Sequence, residues 1–247
     1  MQEAHITLAA EKLFSIGPIP VTNSILTTWI VTMLLIAFAY FATRKISPVP
    51  NFLQNIAESM VEALADLVAS VAGDKTKVFL PIVASFFFFI LLGNYLGLFP
   101  GVGTIGFHEI VNGKEVFIPF FRSINSDLNT TVALALVSVI ATHYLAIKYL
   151  GLGGYIGKFL SLNPIFLFVG ILEIIGEATK ILSLSFRLFG NIFAGEVLLT
   201  TAANKLFAFI VPVPFYMLEL LVGFVQALIF AMLTLVFMVI LTQKQSH

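Results

Sequence analysis

The sequence predicts an all-α, polytopic membrane protein with about five membrane helices. Of its 247 residues, 59% are apolar and 11% are charged, and the mean hydropathy is +1.03. Five segments are long and apolar enough to cross a bilayer, and one short connection has a β-hairpin pattern. Soluble domains do not reach this composition, so we expect residues 1–247 to form a single membrane domain.

Composition also excludes several functions. The net charge is zero and the 13 Lys and Arg residues are scattered, which argues against a nucleic-acid partner. The chain has no Cys, so disulfides, thiol catalysis and Cys-ligated metals are excluded. The four His are far apart in sequence, and we therefore expect neither a metal site nor a cofactor.

The first part of the chain predicts one membrane span and one surface helix. Residues 1–23 carry acids and lack a basic start followed by an apolar block, so we expect an extramembrane segment rather than a cleaved signal peptide. Residues 24–43 are long enough to cross once. Residues 51–72 combine an apolar helical stripe with an acidic face, which predicts an amphipathic surface helix. Such a helix serves either as a solvated cover or as a docking site for a partner.

The middle of the chain predicts two further spans, at residues 78–99 and 128–149. The connection at 100–127 is expected outside the membrane, and its Asn112-Gly113 lies between two β-prone runs, which predicts a hairpin. A glycine-rich link is expected at residues 151–157.

Three polar residues stand out in these middle spans. Asn94 is explained by a hydrogen bond to a neighbouring helix. His143 lies inside the third span, where it either bonds between helices or relays a proton. Asp127 begins that span and is a possible secondary proton-transfer residue.

Residues 164–203 and 213–242 predict two long helices. In residues 164–203 the only helix-breaking residues are glycines, and membrane helices tolerate glycine. A helix over 164–203 measures about 60 Å, roughly twice the hydrocarbon thickness of a bilayer. Such a helix must bend, divide or lie steeply tilted in the membrane, and we expect these last two helices to be long and steeply tilted.

The first long helix has six polar residues where membrane helices ordinarily have Leu and Val. An arginine inside a membrane costs at least about 2.5 kcal/mol on insertion scales, so these residues are functional candidates. On a straight helix five of them lie within about 40° of one line, while Glu196 points about 140° away. The five on this stripe are Glu173, Glu177, Lys180, Arg187 and Asn191.

Two interpretations of this stripe are open. Glu177 and Lys180 are at i and i+3. They are therefore explained either by a function in transport or by an ion pair that holds neighbouring helices together. No acid lies within one helical turn of Arg187. Its partner carboxylate is therefore expected from outside.

The last helix is apolar except for Glu219 and Gln226, which lie on one stripe. Acids and amides spaced by one or two turns between helices are what a hydrated proton path requires. Arg187 keeps its proton, so it interrupts such a path and holds an external carboxylate deprotonated. The chain has no phosphate-binding loop and no nucleotide motif, and we expect it to move ions and to be non-catalytic on its own.

Three motifs resemble subunit a of the F-type ATP synthase. They are SLSFRLFGN at 183–191 followed by Gly195-Glu196, DLNTT at 127–131, and FVQALIF at 224–230. The resemblance implies an ion-translocating stator with two half-channels that lead to the carboxylates of a rotating ring of c subunits. It also implies peripheral-stalk b subunits as partners and a bacterial cytoplasmic (inner) membrane as location.

The resemblance further implies roles for single residues. Arg187 matches the essential arginine that each ring carboxylate passes, and Asn191 is its neighbour one turn on. Glu173 matches an acid of the cytoplasmic half-channel, and Glu196 matches an acid on the opposite, uptake side. Gln226 matches the glutamine close to the arginine.

One departure from the family concerns Glu219. The family often has a His at this position, paired with the acid that Glu196 matches. Whether the two glutamates share a proton is therefore open. The roles of Glu177 and Lys180 in transport are open as well.

Orientation follows from the positive charges. With an outside N-terminus, a cytoplasmic C-terminus and five crossings, seven Lys and Arg lie inside and four lie outside. This excess on the inside agrees with the positive-inside rule.

Protons are favoured over Na⁺ as the transported ion, although this chain does not fix the choice. The rival classes are an ion-coupled secondary transporter, whose internal repeats we do not detect, and a membrane scaffold without transport.

Overall fold

The computed structural model describes residues 10–99, 101–111, 114–159, 164–205 and 212–243. Its helices are α1 (Asn23–Thr43), α2 (Phe52–Ala72), α3 (Thr76–Gly97), α4 (Leu128–Phe159), α5 (Pro164–Lys205) and α6 (Pro212–Leu241). The strands are β1 (Lys12–Ile16), β2 (Ile19–Thr22), β3 (Gly106–Val111) and β4 (Lys114–Pro119), paired as two antiparallel hairpins.

Five helical segments of the described chain are long and apolar enough to cross a membrane. They are Asn23–Thr43, Phe52–Gly97, Leu128–Phe159, Phe168–Ala202 and Val213–Leu241. Helices α2 and α3 run together in the second of these, joined by a short 3₁₀ turn at Gly73–Lys75. The predicted all-α membrane class is confirmed.

Of the two hairpins, the sequence predicted the one formed by β3 and β4. Strands β3 and β4 pair with Val111 opposite Lys114, which confirms the predicted hairpin. The predicted turn residues 112–113 lie outside the described chain. The hairpin of β1 and β2 was not predicted. Its turn begins at Gly17, whose φ of 61° favours glycine.

The predicted glycine-rich link at 151–157 is helical. Helix α4 breaks only at Gly151, where φ is 74° and ψ is 163°, and then continues to Phe159. A positive φ at a single glycine is enough to redirect a helix. The residues of α4 after Gly151, 152–159, form its second limb, which is therefore available to pack against α5.

Helix α6 lies at the centre of the bundle, in contact with α2, α3, α4 and α5. The apolar core is formed mainly by α3, α5 and α6, through Phe79, Val83, Phe86, Phe87, Ile90, Leu184, Leu188, Ile192, Phe230, Leu235 and Met238. Helix α2 buries Leu64 and Val68 in this core, and its acidic side chains remain exposed. This amphipathic helix thus packs with one edge on the bundle.

Buried polar contacts fix the register of the central helices. The Asn94 side chain donates to the Gly223 carbonyl at 2.9 Å and accepts from the Asn125 amide at 2.7 Å. This contact confirms the predicted role of Asn94 between helices. Ser138 of α4 and Thr234 of α6 are hydrogen-bonded at 2.8 Å.

Two lysines cap the C-terminal end of α6. The Lys75 ammonium donates to the Thr242 carbonyl at 3.0 Å, and the Lys158 ammonium donates to the Leu241 carbonyl at 3.0 Å. The last carbonyls of a helix have no partner within the helix, and cations there also interact favourably with the helix dipole.

Asn94→Ala tests the register contact. The substitution leaves the Gly223 carbonyl and the Asn125 amide buried without this partner, which should cost about 1–3 kcal/mol of stability. We expect a lower thermal unfolding temperature of the detergent-solubilised protein. Ser85→Ala is the control, because exposed Ser85 donates only within its own helix, to the Pro81 carbonyl. Equal melting of the two variants would contradict the assignment.

Candidate functional site

Arg187 lies on the exposed face of α5. Its Nη2 donates to the Ser183 hydroxyl at 3.1 Å, and the Asn191 amide donates to the Arg187 carbonyl at 2.9 Å. Within the described part of the chain, no carboxylate lies at ion-pair distance from this guanidinium. The prediction that Arg187 has no local acid partner is therefore consistent with the folded chain.

Apart from Ser183, Asn191 and Gln226, the surface around Arg187 is apolar. Exposed Leu182 and Phe186 flank it on α5. Gln226 of α6 lines the same shallow recess as Arg187 between the two helices, with Leu184, Leu188, Ile229 and Phe230. The structure thus brings Arg187 and Gln226 together on a face that offers apolar packing around one positive charge.

Glu177 and Lys180 turn toward the inside of the bundle. The Lys180 ammonium donates to Glu177 at 2.6 Å and lies 4.9 Å from the centre of the Phe237 ring of α6. The other Glu177 oxygen is 3.5 Å from Nε2 of His143. The Nδ1 of His143 and the Tyr155 hydroxyl are hydrogen-bonded at 2.9 Å. This network joins both limbs of α4 to α5.

The predicted stripe on α5 is therefore split by the fold. Glu177 lies at one edge of the stripe and faces α4, whereas Arg187 lies at the other edge and faces outward. An arc of about 80° is wide enough for its two edges to meet different surroundings. The polar residues of α5 form separate groups along its length rather than one continuous line.

Glu173 is half-buried near the second limb of α4. It lies near Tyr155 and Lys158 of that limb. This end of α5 also lies near the lysine-capped end of α6, because Lys158 bonds there. Glu173, Glu177, His143 and Lys180 thus belong to one end of the bundle.

Glu196 faces the bundle at the other end of α5. One of its oxygens lies 3.9 Å from Nε of Arg122, which precedes α4. The carboxylate of Glu219, which is buried on α6, lies directly over Gly195. The structure brings Glu219 beside Gly195 and hence close to Glu196, and it adds Arg122, one of the four Lys and Arg that the positive-inside rule places outside.

Asp127 caps the start of α4. Its carboxylate accepts from the Asn129 backbone N–H at 3.1 Å and from the Ser24 hydroxyl of α1 at 2.8 Å. Only 4% of its surface is exposed. This geometry gives Asp127 a local structural role at the start of α4, while its predicted secondary role in proton transfer stays a prediction.

Comparison with known proteins places this arrangement in a family. Residues 25–239 match the profile of the ATP synthase A chain. The chain belongs to this family. A relative named ATP synthase subunit a from Moorella thermoacetica is 35% identical over 226 residues, covering 92% of this chain and 93% of the relative.

Other subunit a relatives match over similar lengths. Those from Gloeobacter violaceus and Syntrophobacter fumaroxidans are 35% and 32% identical over 233 and 231 residues. They cover 94% and 92% of this chain, and 88% and 87% of their own. The resemblance drawn from the three motifs is confirmed. As a member of the subunit a family with five candidate spans, the chain is a multi-pass membrane component of an ATP synthase.

Gly195→Ala tests the packing of Glu219. A Cβ at Gly195 would overlap the Glu219 carboxylate, so the acid must move, at a cost of about 1–3 kcal/mol. We expect a lower thermal unfolding temperature. Gly190→Ala is the matched control on the same helix, because nothing lies within 4 Å of its added Cβ. That control should be neutral or stabilising, and equal destabilisation of the two variants would refute the contact.

Proposed function

We propose that this chain is the ion-translocating stator subunit of a rotary F-type ATP synthase. It provides two half-channels to the carboxylates of a rotating c-ring, and Arg187 separates them. The observation that carries the proposal is the exposed guanidinium of Arg187 on a largely apolar face, with no carboxylate of the described residues at ion-pair distance. A charge at such a place is costly unless a partner compensates it.

The two acidic groups support separate half-channels. Arg187 lies about 21 Å along α5 from Glu173 and about 14 Å from Glu196. The first acid is grouped with α4 and the capped end of α6, and the second with the segment before α4. Protons that enter at one group must reach the other by way of a carrier that passes Arg187, since the arginine does not release its own proton.

A ring carboxylate is the carrier that fits. When the ring carboxylate is deprotonated, it pairs with Arg187. When it is protonated, it is neutral and can move through lipid. Asn191 and Gln226 lie beside the arginine and supply amide groups at the same depth. Each charge moved through 100 mV yields about 2.3 kcal/mol, so several ions are needed per ATP.

The remaining assignments follow the family. The chain is proposed to be non-catalytic, to lie in the bacterial cytoplasmic (inner) membrane with its N-terminus outside, and to contact b subunits as well as the c-ring. Protons are the proposed ion, in preference to Na⁺. Glu177, Lys180 and His143 are assigned a secondary role, because each already has a partner in the network between α4 and α5.

Arg187→Ala tests the proposal. In inverted membrane vesicles that contain the assembled complex, ATP-driven proton pumping should be lost while the subunit remains in the purified complex. Arg44→Ala is the control, because exposed Arg44 lies just beyond α1, away from the site. Normal pumping by Arg187→Ala would refute the proposal and favour a scaffold.

The uptake path is tested by a second pair of variants. Glu196→Gln combined with Glu219→Gln removes both acids at one end and should slow proton flow far more than Glu177→Gln. The reason is that Glu177 is held in an ion pair with Lys180. The measurement is passive proton conduction through the membrane sector. Equal effects of the two changes would mean that the acids have been assigned wrongly.

A further inference from the structure

We infer that Glu177 neutralises the charge of Lys180 on the proton path along α5. His143 and Tyr155 are the positioning residues that fix Glu177 for this task. Neutralised in this way, Lys180 does not repel protons that move between one half-channel and the ring. The inference rests on the proposed function, and it gives a specific task to a network that otherwise has only a secondary role.

Lys180 lies midway between Glu173 and Arg187 on α5. The three residues are spaced by seven positions, so on a straight helix each lies about 20° from the next, on one side of the helix. The helical rise places Lys180 about 10 Å from each of the other two. A proton that moves between Glu173 and a carrier opposite Arg187 therefore passes close to Lys180.

An uncompensated ammonium at this position would oppose transport. Two unit charges about 10 Å apart in a protein interact strongly enough to change an equilibrium by about tenfold. The positive charge repels a proton, and it also favours the deprotonated form of nearby carboxylates. A second free cation on the side of α5 that carries Arg187 would thus lower the occupancy of the path by protons.

Glu177 compensates Lys180 at short range. The Lys180 ammonium donates to one Glu177 oxygen at 2.6 Å, and the two side chains are 26% and 13% exposed. The ammonium also lies 4.9 Å from the centre of the Phe237 ring of α6, within the range of a cation–π contact. Lys180 is thus held by its neighbours within the bundle, although its backbone lies on the side of α5 that carries Arg187.

His143 and Tyr155 hold the second oxygen of Glu177. That oxygen lies 3.5 Å from Nε2 of His143, and Nδ1 of His143 and the Tyr155 hydroxyl are hydrogen-bonded at 2.9 Å. A phenol that donates to Nδ1 leaves the ring proton on Nε2, where it faces the carboxylate. Both oxygens of Glu177 are therefore engaged, and the carboxylate cannot turn away from Lys180 without breaking these contacts.

The break in α4 at Gly151 makes this arrangement possible, because Tyr155 lies on the second limb. That limb is fixed at its far end. A Cβ added at Gly170 of α5 would overlap the Phe159 carbonyl, and Lys158 donates to the last carbonyls of α6. A limb held by both α5 and α6 keeps the Tyr155 hydroxyl in place beside His143.

Glu177→Gln tests the neutralisation. The amide keeps the shape of the side chain and removes its charge, which leaves Lys180 uncompensated. ATP-driven proton pumping by inverted vesicles should fall about threefold to tenfold. Adding Lys180→Gln to the same chain removes the second charge and should restore at least half of the wild-type rate. Thr179→Ala is the control and should pump normally, because exposed Thr179 donates within its own helix, to the Ile175 carbonyl.

Tyr155→Phe tests the positioning. It removes one hydroxyl and keeps both charges of the ion pair, so pumping should fall about twofold to fivefold, the scale of one lost hydrogen bond. Lys180→Gln should relieve this loss as well, because the effect of Tyr155 acts through Lys180. A merely structural role of Tyr155 would not be relieved by removing a charge from another helix.

Subunit content of the purified complex and its thermal unfolding temperature are measured for every variant. Normal pumping by Glu177→Gln would overturn the inference, as would a loss that Lys180→Gln does not relieve. Normal pumping by Tyr155→Phe would overturn the positioning roles. If Glu177→Gln prevents assembly, Tyr155→Phe with and without Lys180→Gln decides the question, since relief of the loss supports the inference and persistence of the loss refutes it.

Arg187→Ala separates this result from the larger proposal. If Arg187→Ala blocks pumping and Glu177→Gln pumps normally, only the neutralisation of Lys180 fails. Pumping by Arg187→Ala refutes the stator function itself.

Discussion

The need to compensate every charge inside a low-dielectric bundle governs this structure. At one end of α5, Glu177 is compensated by Lys180. At the other end, Glu196 lies opposite Arg122. Between these groups Arg187 has only a hydroxyl of its own helix as side-chain partner within the described chain. Because leaving a guanidinium in lipid is costly, the proposed function expects a partner's carboxylate opposite Arg187.

The length of α5 separates its acidic groups. Its 42 residues hold Glu173 and Glu177 near one end of the bundle and Glu196 near the other. Helix α6 adds Glu219 beside Gly195 and Gln226 beside Arg187. The second limb of α4, redirected at Gly151, lies beside Glu173 and Glu177. Under the proposed function, the same helices that bury the core also keep the two half-channels apart.

Local patterns explain what could be predicted from sequence. Hydropathy over long windows marks the helices, and the absence of nearby acids around Arg187 is visible in the chain itself. The contacts of Tyr155 and Arg122 could not be predicted, since they join residues far apart in sequence. The break at Gly151 was predicted as a longer link, because three further glycines follow within residues 152–157 and only one of the glycines there adopts positive φ.

The most direct test of the central claim is an experimental structure of the assembled complex that shows what faces Arg187. The stator function predicts a carboxylate of a neighbouring ring subunit within about 4 Å of the guanidinium, the distance of an ion pair. It also predicts apolar ring helices against Leu182 and Phe186, which are exposed in this chain. Lipid tails against Arg187, or an acid of this same chain paired with it, would rule that function out.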